Sequence, residues 1–147
     1  MPGSPIHQLI GTAAERRTVY VSSMFLVTPE ECAVQALEVQ TRGFQGDEVH
    51  PPGPAALNLE VYAAVRCAVG SQLSLMTVPV ATHIYEEALR VGRFLESLGY
   101  LWFEEPVYDY GDTIAHQAGH SGRRNRGHRG GEGYLTAQFI ANGAGDV

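Results

Sequence analysis

Lysine is absent from this chain of 147 residues, so all ten of its Lys/Arg side chains are arginine. Chemistry that runs on a lysine base or a lysine Schiff base is thereby excluded. Apolar runs of membrane-spanning length are missing, and so is a charged start followed by an apolar core. The sequence therefore predicts neither a membrane span nor a signal peptide, and it reads as cytoplasmic. Cysteine is scarce: Cys32 and Cys67 both fall in helix-like stretches and read as buried thiols of a reducing compartment. Positive charge is outnumbered, 10 Lys/Arg against 16 Asp/Glu, giving a formal net charge of −6. That balance argues against nucleic acid or an anionic membrane as partner. No Gly-x-Gly-x-x-Gly or phosphate-loop motif follows the first strand-like stretch, which counts against nucleotide binding.

What is present is a regular alternation of strand-like and helix-like stretches. Residues 1–17 form a polar lead-in with little pattern, and 18–147 read as one domain. Thr18 to Phe25 is rich in β-formers. Thr28-Pro29-Glu30-Glu31 then combines an N-cap residue, a proline at the first helical position and a glutamate at the third, the signature of a capped helix start. Ala33, Ala36, Leu37 and Gln40 follow at helical spacing, and Gly43 stops the helix. Phe44 to His50 predicts a second strand, closed by Pro51-Pro52-Gly53-Pro54. Leu57, Val61, Ala64, Val65 and Ala68 define one face of a second helix that runs to Val69 and ends at Gly70. Gln72 to Val78 is a third strand. Tyr85 to Leu98 is a third helix with Ala88, Val91, Leu95 and Leu98 as its stripe, and Tyr100 to Glu104 a fourth strand.

The strand starts recur about every 27 residues, too long for hairpins and right for strand, crossover helix and loops. Parallel strands covered by helices follow, with an open doubly wound sheet and a closed eight-fold barrel both fitting. Leu101-Trp102-Phe103-Glu104-Glu105-Pro106 is the chemically informative segment. An apolar strand that stops at two carboxylates and a proline delivers charge to the mouth at which βα-repeat proteins do their chemistry.

The pattern breaks after Tyr110. Gly111 to Gly131 reads GDTIAHQAGHSGRRNRGHRGG, where a fourth helix and fifth strand are due. It reads as a solvated basic loop, or as a metal site built on His116 and His120 (one helical turn apart) with His128 nearby. A third reading is out-of-frame translation of a normal helix and strand, since Gly, Arg and His crowding is what a GC-rich gene for an Ala/Val-rich helix yields one frame off. Apolar patterning resumes at Leu135, Phe139 and Ile140.

These residues resemble a known family. Val19-Tyr20-Val21-Ser22-Ser23, His50-Pro51-Pro52-Gly53, Glu86-Glu87-Ala88-Leu89-Arg90-Val91-Gly92-Arg93, Leu101 to Pro106 and Gly131-Glu132 are similar to the barrel domain of the enolase superfamily. The likeness is to the mandelate racemase and muconate-lactonizing type, which includes sugar-acid dehydratases, and it spans Arg17 to Val147 apart from 111–130. It implies an α/β fold, an incomplete (β/α)8 TIM-type barrel of about five βα units. It also implies Mg²⁺-dependent removal of the proton α to the carboxylate of a small sugar acid, the metal stabilising the developing charge. Three acidic residues at the ends of the third, fourth and fifth strands would hold that ion through oxygen. By motif position, Glu104 and Glu132 are metal ligands, and Glu105 is a neighbour that orients Glu104.

Two departures accompany the match. The third-strand ligand falls on Val78, in Met76-Thr77-Val78-Pro79-Val80, and the base motif of the second strand reads Glu48-Val49-His50. His50 is then the candidate base, its bland alternative a capping histidine before a Pro-Pro turn. Glu48 in place of a lysine reverses the local charge and repels an anionic substrate. Three functional readings follow: a fragment or degraded member of the family, inactive alone; an active dehydratase or racemase that completes its barrel as a homo-oligomer; and a non-catalytic binding module that uses the Arg/His-rich segment, with loss of an acidic partner on replacing Arg123, Arg124, Arg126 and Arg129 together. The frame-shift reading has its own expectation: a neighbouring frame of the coding DNA across Gly111 to Gly131 encodes an apolar helix and strand. Stops or polar residues in both neighbouring frames would dismiss it.

Overall fold

In the computed structural model, which describes residues 3, 5–9, 11 and 16–107, four parallel strands lie in sequence order β1-β2-β3-β4. The strands are β1 (Val21–Ser22), β2 (Gly46–Val49), β3 (Ser74–Thr77) and β4 (Trp102–Phe103). Between them run α2 (Pro29–Thr41), α3 (Ala55–Val69) and α4 (Tyr85–Ser97), and a short α1 (Ile6–Leu9) precedes β1. The repeating strand–helix order expected from the spacing is thus present for four strands, as an arc and not a closed barrel. The expected fifth strand, Glu132 and the Arg/His-rich segment lie outside the described residues.

Local chemistry sets the helix ends. Thr28 Oγ1 accepts from the Glu31 N–H at 3.2 Å, and the Glu31 carboxylate accepts from the Thr28 N–H at 3.1 Å. Two orphan donors at the start of α2 are so satisfied reciprocally. Gly43, Gly70 and Gly99 follow α2, α3 and α4 with φ of 85°, 62° and 72°, the left-handed turn that glycine makes without penalty.

The two faces of the sheet differ. Val49 and Leu75 join Cys32, Ala36, Val39, Val61, Tyr62, Val65, Val91 and Leu95 in the buried core under the helices. Thr77 reaches the same side, donating to the Val49 carbonyl at 2.9 Å and pairing with the Tyr62 hydroxyl at 3.1 Å. Alternate strand residues point the other way. Gly46 is needed there, since a Cβ would come within 3.1 Å of Tyr20 Cβ and 3.2 Å of Met76 Cε.

Some expectations need correction. Of the expected face of α3, Val61 and Val65 are fully buried while Leu57, Ala64 and Ala68 are half-buried, and Ala55, Asn58, Tyr62 and Val69 complete the buried side. Cys67 is exposed on α3 while Cys32 is buried. Leu37, placed on the inner stripe of α2, is exposed; Val39 takes the inward place.

Arg66 fastens the helix layer to the sheet. From α3 it donates to the carbonyls of Gly70 (2.7 Å), Leu98 (2.8 Å), Leu73 (3.0 Å) and Gly99 (3.2 Å). Its guanidinium also lies 5.5 Å from the Tyr100 ring centroid. Carbonyls at the ends of two helices converge on one planar cation, a geometry an ammonium cannot reproduce. Arg66→Met should cost about 2 kcal/mol in urea unfolding with m unchanged, and Arg66→Lys should recover less than half of that.

A second fastening closes the strand ends. His83, in the loop between β3 and α4, donates its N–H to the Pro106 carbonyl at 3.1 Å beyond β4. Its ring is buried against Phe103, with Nε2 3.5 Å from Asn58 Nδ2. Burial lowers the His83 pKa below 6.5, against Glu87, which raises it, with Arg90 adding to the lowering. The folded state thus binds the proton less readily than the unfolded chain. Stability is complete above the unfolded value and falls as pH drops below it, by at most about 1.4 kcal/mol per pH unit for one proton. Urea midpoints between pH 7 and pH 5 should show that slope, and His83→Gln should flatten it.

Candidate strand-end site

The barrel-side row at the strand ends follows from the register. β2 pairs with β3 so that Val49 faces Thr77, and β3 with β4 so that Thr77 faces Phe103. The residues immediately beyond are His50, Val78 and Glu104. The ladder continues through them, with Val78 N–H donating to the Val49 carbonyl at 3.1 Å and Glu104 N–H to the Thr77 carbonyl at 2.9 Å. His50, Val78 and Glu104 consequently share one row on the face away from the helices. One row further down the strands lie Ser22, Glu48, Met76 and Trp102.

The first strand supplies hydroxyls to the second. Ser22 Oγ donates to Glu48 Oε2 at 2.9 Å on the barrel side, and Ser23 Oγ donates to Asp47 Oδ1 on the helix side. Both carboxylates are buried, and burial holds the Asp47 pKa above the ordinary value, partly offset by the Ser23 bond and by His50. His50 is buried too, with its ring tilted 58° against Phe25 at 4.9 Å and Nδ1 without a partner among the described residues. That burial does not fit a surface histidine.

Backbone strain gathers at the same mouth. Val80, Ala81 and Glu105 have φ of 54°, 56° and 45°. For a β-branched valine this is an outlier, costing on the order of 1–3 kcal/mol at each such residue. The segment is held by Ala81 N–H donating to the Glu105 carbonyl at 2.6 Å, which ties the β3 end to the β4 end. Glu105 therefore serves this mouth through its backbone.

Mg²⁺ is the cation that the resemblance implies. A hard cation needs several oxygen ligands. Val78, 2% exposed, puts an isopropyl group at the position for which the resemblance implied a ligand, and no group of three or more His, Cys, Asp or Glu able to hold a metal occurs among the described residues. The described residues alone do not make a Mg²⁺ centre; Glu104 is at the mouth, and Glu132 lies outside them. His116, His120 and His128 lie outside them as well.

Sequence reasoning passed over His83, Ser22 and Ser23. The serines were legible as a polar pair inside a β-rich run; His83 carried no spacing signal, and only the fold brings it beneath Phe103. No helix among the described residues is long and apolar enough to cross a membrane.

No family model matches the chain. It is 29% identical over 119 residues to an arabinonate dehydratase of Saccharolobus solfataricus, covering 78% of this chain and 32% of that protein. Among solved structures it superposes on a D-glucarate dehydratase from Agrobacterium tumefaciens complexed with magnesium, at TM-score 0.88 and 28% identity, covering 97% of this chain and 42% of that one. A mandelate racemase/muconate lactonizing family protein from Azoarcus sp. EbN1 gives TM-score 0.81 and 26% identity, covering 97% and 38%. The chain thus spans well under half the length of the proteins it matches. In fold and in sequence it is similar to part of the barrel domain of the enolase superfamily, of mandelate racemase and muconate-lactonizing type.

Proposed function

We propose that this chain is a barrel segment of a sugar-acid dehydratase or racemase in which the strand-end site is incomplete, so that the chain alone is inactive. The observation that carries the reading is the row His50–Val78–Glu104. It keeps a histidine in place of the base and one carboxylate, with a buried valine between them. In the complete reaction class, a metal at these strand ends stabilises the charge that develops as the α proton leaves a carboxylate. In this chain, His50 is the candidate base for that proton. Glu104 is the fourth-strand metal ligand and Glu132 the fifth-strand ligand of the proposal. Val78 supplies neither charge nor oxygen, and its apolar side chain keeps water from replacing the missing ligand.

The lengths bear on the same reading. The chain covers 32% of the arabinonate dehydratase and 42% of the D-glucarate dehydratase. Small sugar acids remain the substrate class of the proposal, because both named dehydratases act on such acids.

Isothermal titration with Mg²⁺ tests it. The chain should bind Mg²⁺ no tighter than millimolar. Val78→Asp should tighten binding at least about tenfold, the worth of one added carboxylate oxygen ligand at a partly assembled site. Adding Glu104→Ala or Glu132→Ala to Val78→Asp should abolish that gain. Micromolar binding by the unaltered chain that depends on Glu104 would instead make it a working metalloenzyme, and no gain from Val78→Asp would remove the row from consideration as a metal position.

A further inference from the structure

The outer edge of β1 is open among the described residues. Ser23 N–H donates to the Glu48 carbonyl at 3.0 Å, so the backbone N–H and C=O of Ser22, one residue back, turn away from β2. No described strand lies on that side. The stretch around it, Thr18 to Val27, contains no charged residue, no proline and no glycine. Within it Val19, Met24, Phe25 and Val27 are each at least 61% exposed. Folded proteins guard such edges with lysine, proline or a bulge, because an unguarded apolar edge is a template for pairing with another chain.

The flanking charges indicate which chain. Arg16 and Arg17 precede the stretch, Glu30 and Glu31 follow it, and all four are exposed. Two copies laid antiparallel bring the basic start of each stretch toward the acidic end of the other, twice by symmetry. Laid parallel, they set arginine beside arginine and glutamate beside glutamate. Copies of a chain with net charge −6 repel one another in general. Along this edge, neutral apolar residues meet between opposite charges instead. The stretch is complementary to itself in one orientation, as an isologous two-fold contact requires.

We infer that β1 is a dimerisation edge whose occupant is the β1 edge of a second copy of this chain, paired antiparallel about a two-fold axis. The outward backbone groups of Ser22 then gain ladder partners, and the apolar side chains of Val19 and Met24 are covered. Such a junction joins two sheets but cannot close a barrel, in which every strand runs parallel to its neighbours. The two strand-end mouths point in opposite directions, and each keeps its own row of His50, Val78 and Glu104. The dimer therefore supplies no ligand to either mouth, and the inference stands apart from the metal reading.

The test is sedimentation equilibrium of the full chain, without divalent cations, with circular dichroism to show that each variant is folded. As concentration rises, the mass should pass from 15.9 kDa to twice that value and stop there. The dissociation constant should be on the order of 10 μM, the weak end expected of a short edge contact. Met24→Lys places a guarding charge on the edge and should weaken the dimer at least about tenfold. Val34→Lys, at a similarly exposed apolar position on α2, should leave it unchanged. Arg17→Glu should weaken it about threefold, the scale of an exposed ion pair formed twice, and adding Glu30→Arg should restore it. The mass of the unaltered chain and the charge-reversal pair decide the matter even where Met24→Lys fails to fold. A monomer at every concentration, masses growing beyond two copies, a dimer indifferent to folded Met24→Lys, equal weakening by Val34→Lys, or no restoration by Glu30→Arg would each overturn the inference. Because Mg²⁺ is absent, failure here leaves the Val78→Asp result untouched, and the reverse holds too.

Discussion

The pairing register of β2 with β3 and of β3 with β4 is the constraint on which the rest depends. It aligns Val49, Thr77 and Phe103, and so aligns the three residues that follow them. A slip by one residue would exchange the faces of a strand. His50 and Glu48 would turn into the helix layer, and Val49 and Asp47 would turn out of it. The register is held from both sides. Thr77 donates to the Val49 carbonyl and meets Tyr62 beneath, while Gly46 alone leaves room for Tyr20 and Met76 above. Packing of neutral side chains thereby fixes where the charged ones stand.

The strand ends bear costs that the helix layer offsets. Two carboxylates are buried in adjacent positions of β2, each tied to one serine of β1. Three residues without the freedom of glycine sit in the left-handed region around the ends of β3 and β4. Such features persist when the surroundings over-determine them. Here the surroundings are the core from Cys32 to Tyr100, Arg66 with its four carbonyls, and the cross-links from Ala81 and His83 to the segment beyond β4. Stability is concentrated at the helix side and the lower ends of the strands, and strain at the mouth.

Much of the order of elements was legible because local chemistry dictates it. The Thr28–Glu31 cap, the glycines at 43, 70 and 99 and the strand spacing each state a boundary without reference to the fold. Strand lengths were overread: Thr18 to Phe25 has β-forming composition throughout, but only Val21–Ser22 pair, since β1 has a partner among the described strands on one side alone. The buried face of α3 was legible only in part, at Val61 and Val65, for a different reason. Its outward side is also apolar in composition, and what selects the inner side is the partner each polar group finds, Gly53 for Asn58 and Thr77 for Tyr62. Such partners are remote in sequence, and so is the one that buries His83. At the mouth, motif position located His50 and Glu104, whereas the burial of Glu48 needed Ser22 and Met76 to be known.

Val78 and Glu48 are best understood together. Relative to the pattern the resemblance implies, the third strand loses a carboxylate and the second strand gains one in place of a lysine. Negative charge is moved from the mouth row to the row below it, and the positive charge that would have faced a substrate carboxylate is gone. Either change alone would leave a mismatched site: a valine beside an intact cationic strand would strand the substrate anion without its metal, and a glutamate beside an intact metal position would compete for the ion. The buried, serine-held Glu48 and the buried Val78 are neighbours across β2 and β3 one row apart, and they pack into the same apolar surface with Met76. The two departures thus stand on adjacent strands, at positions that the register places one row apart.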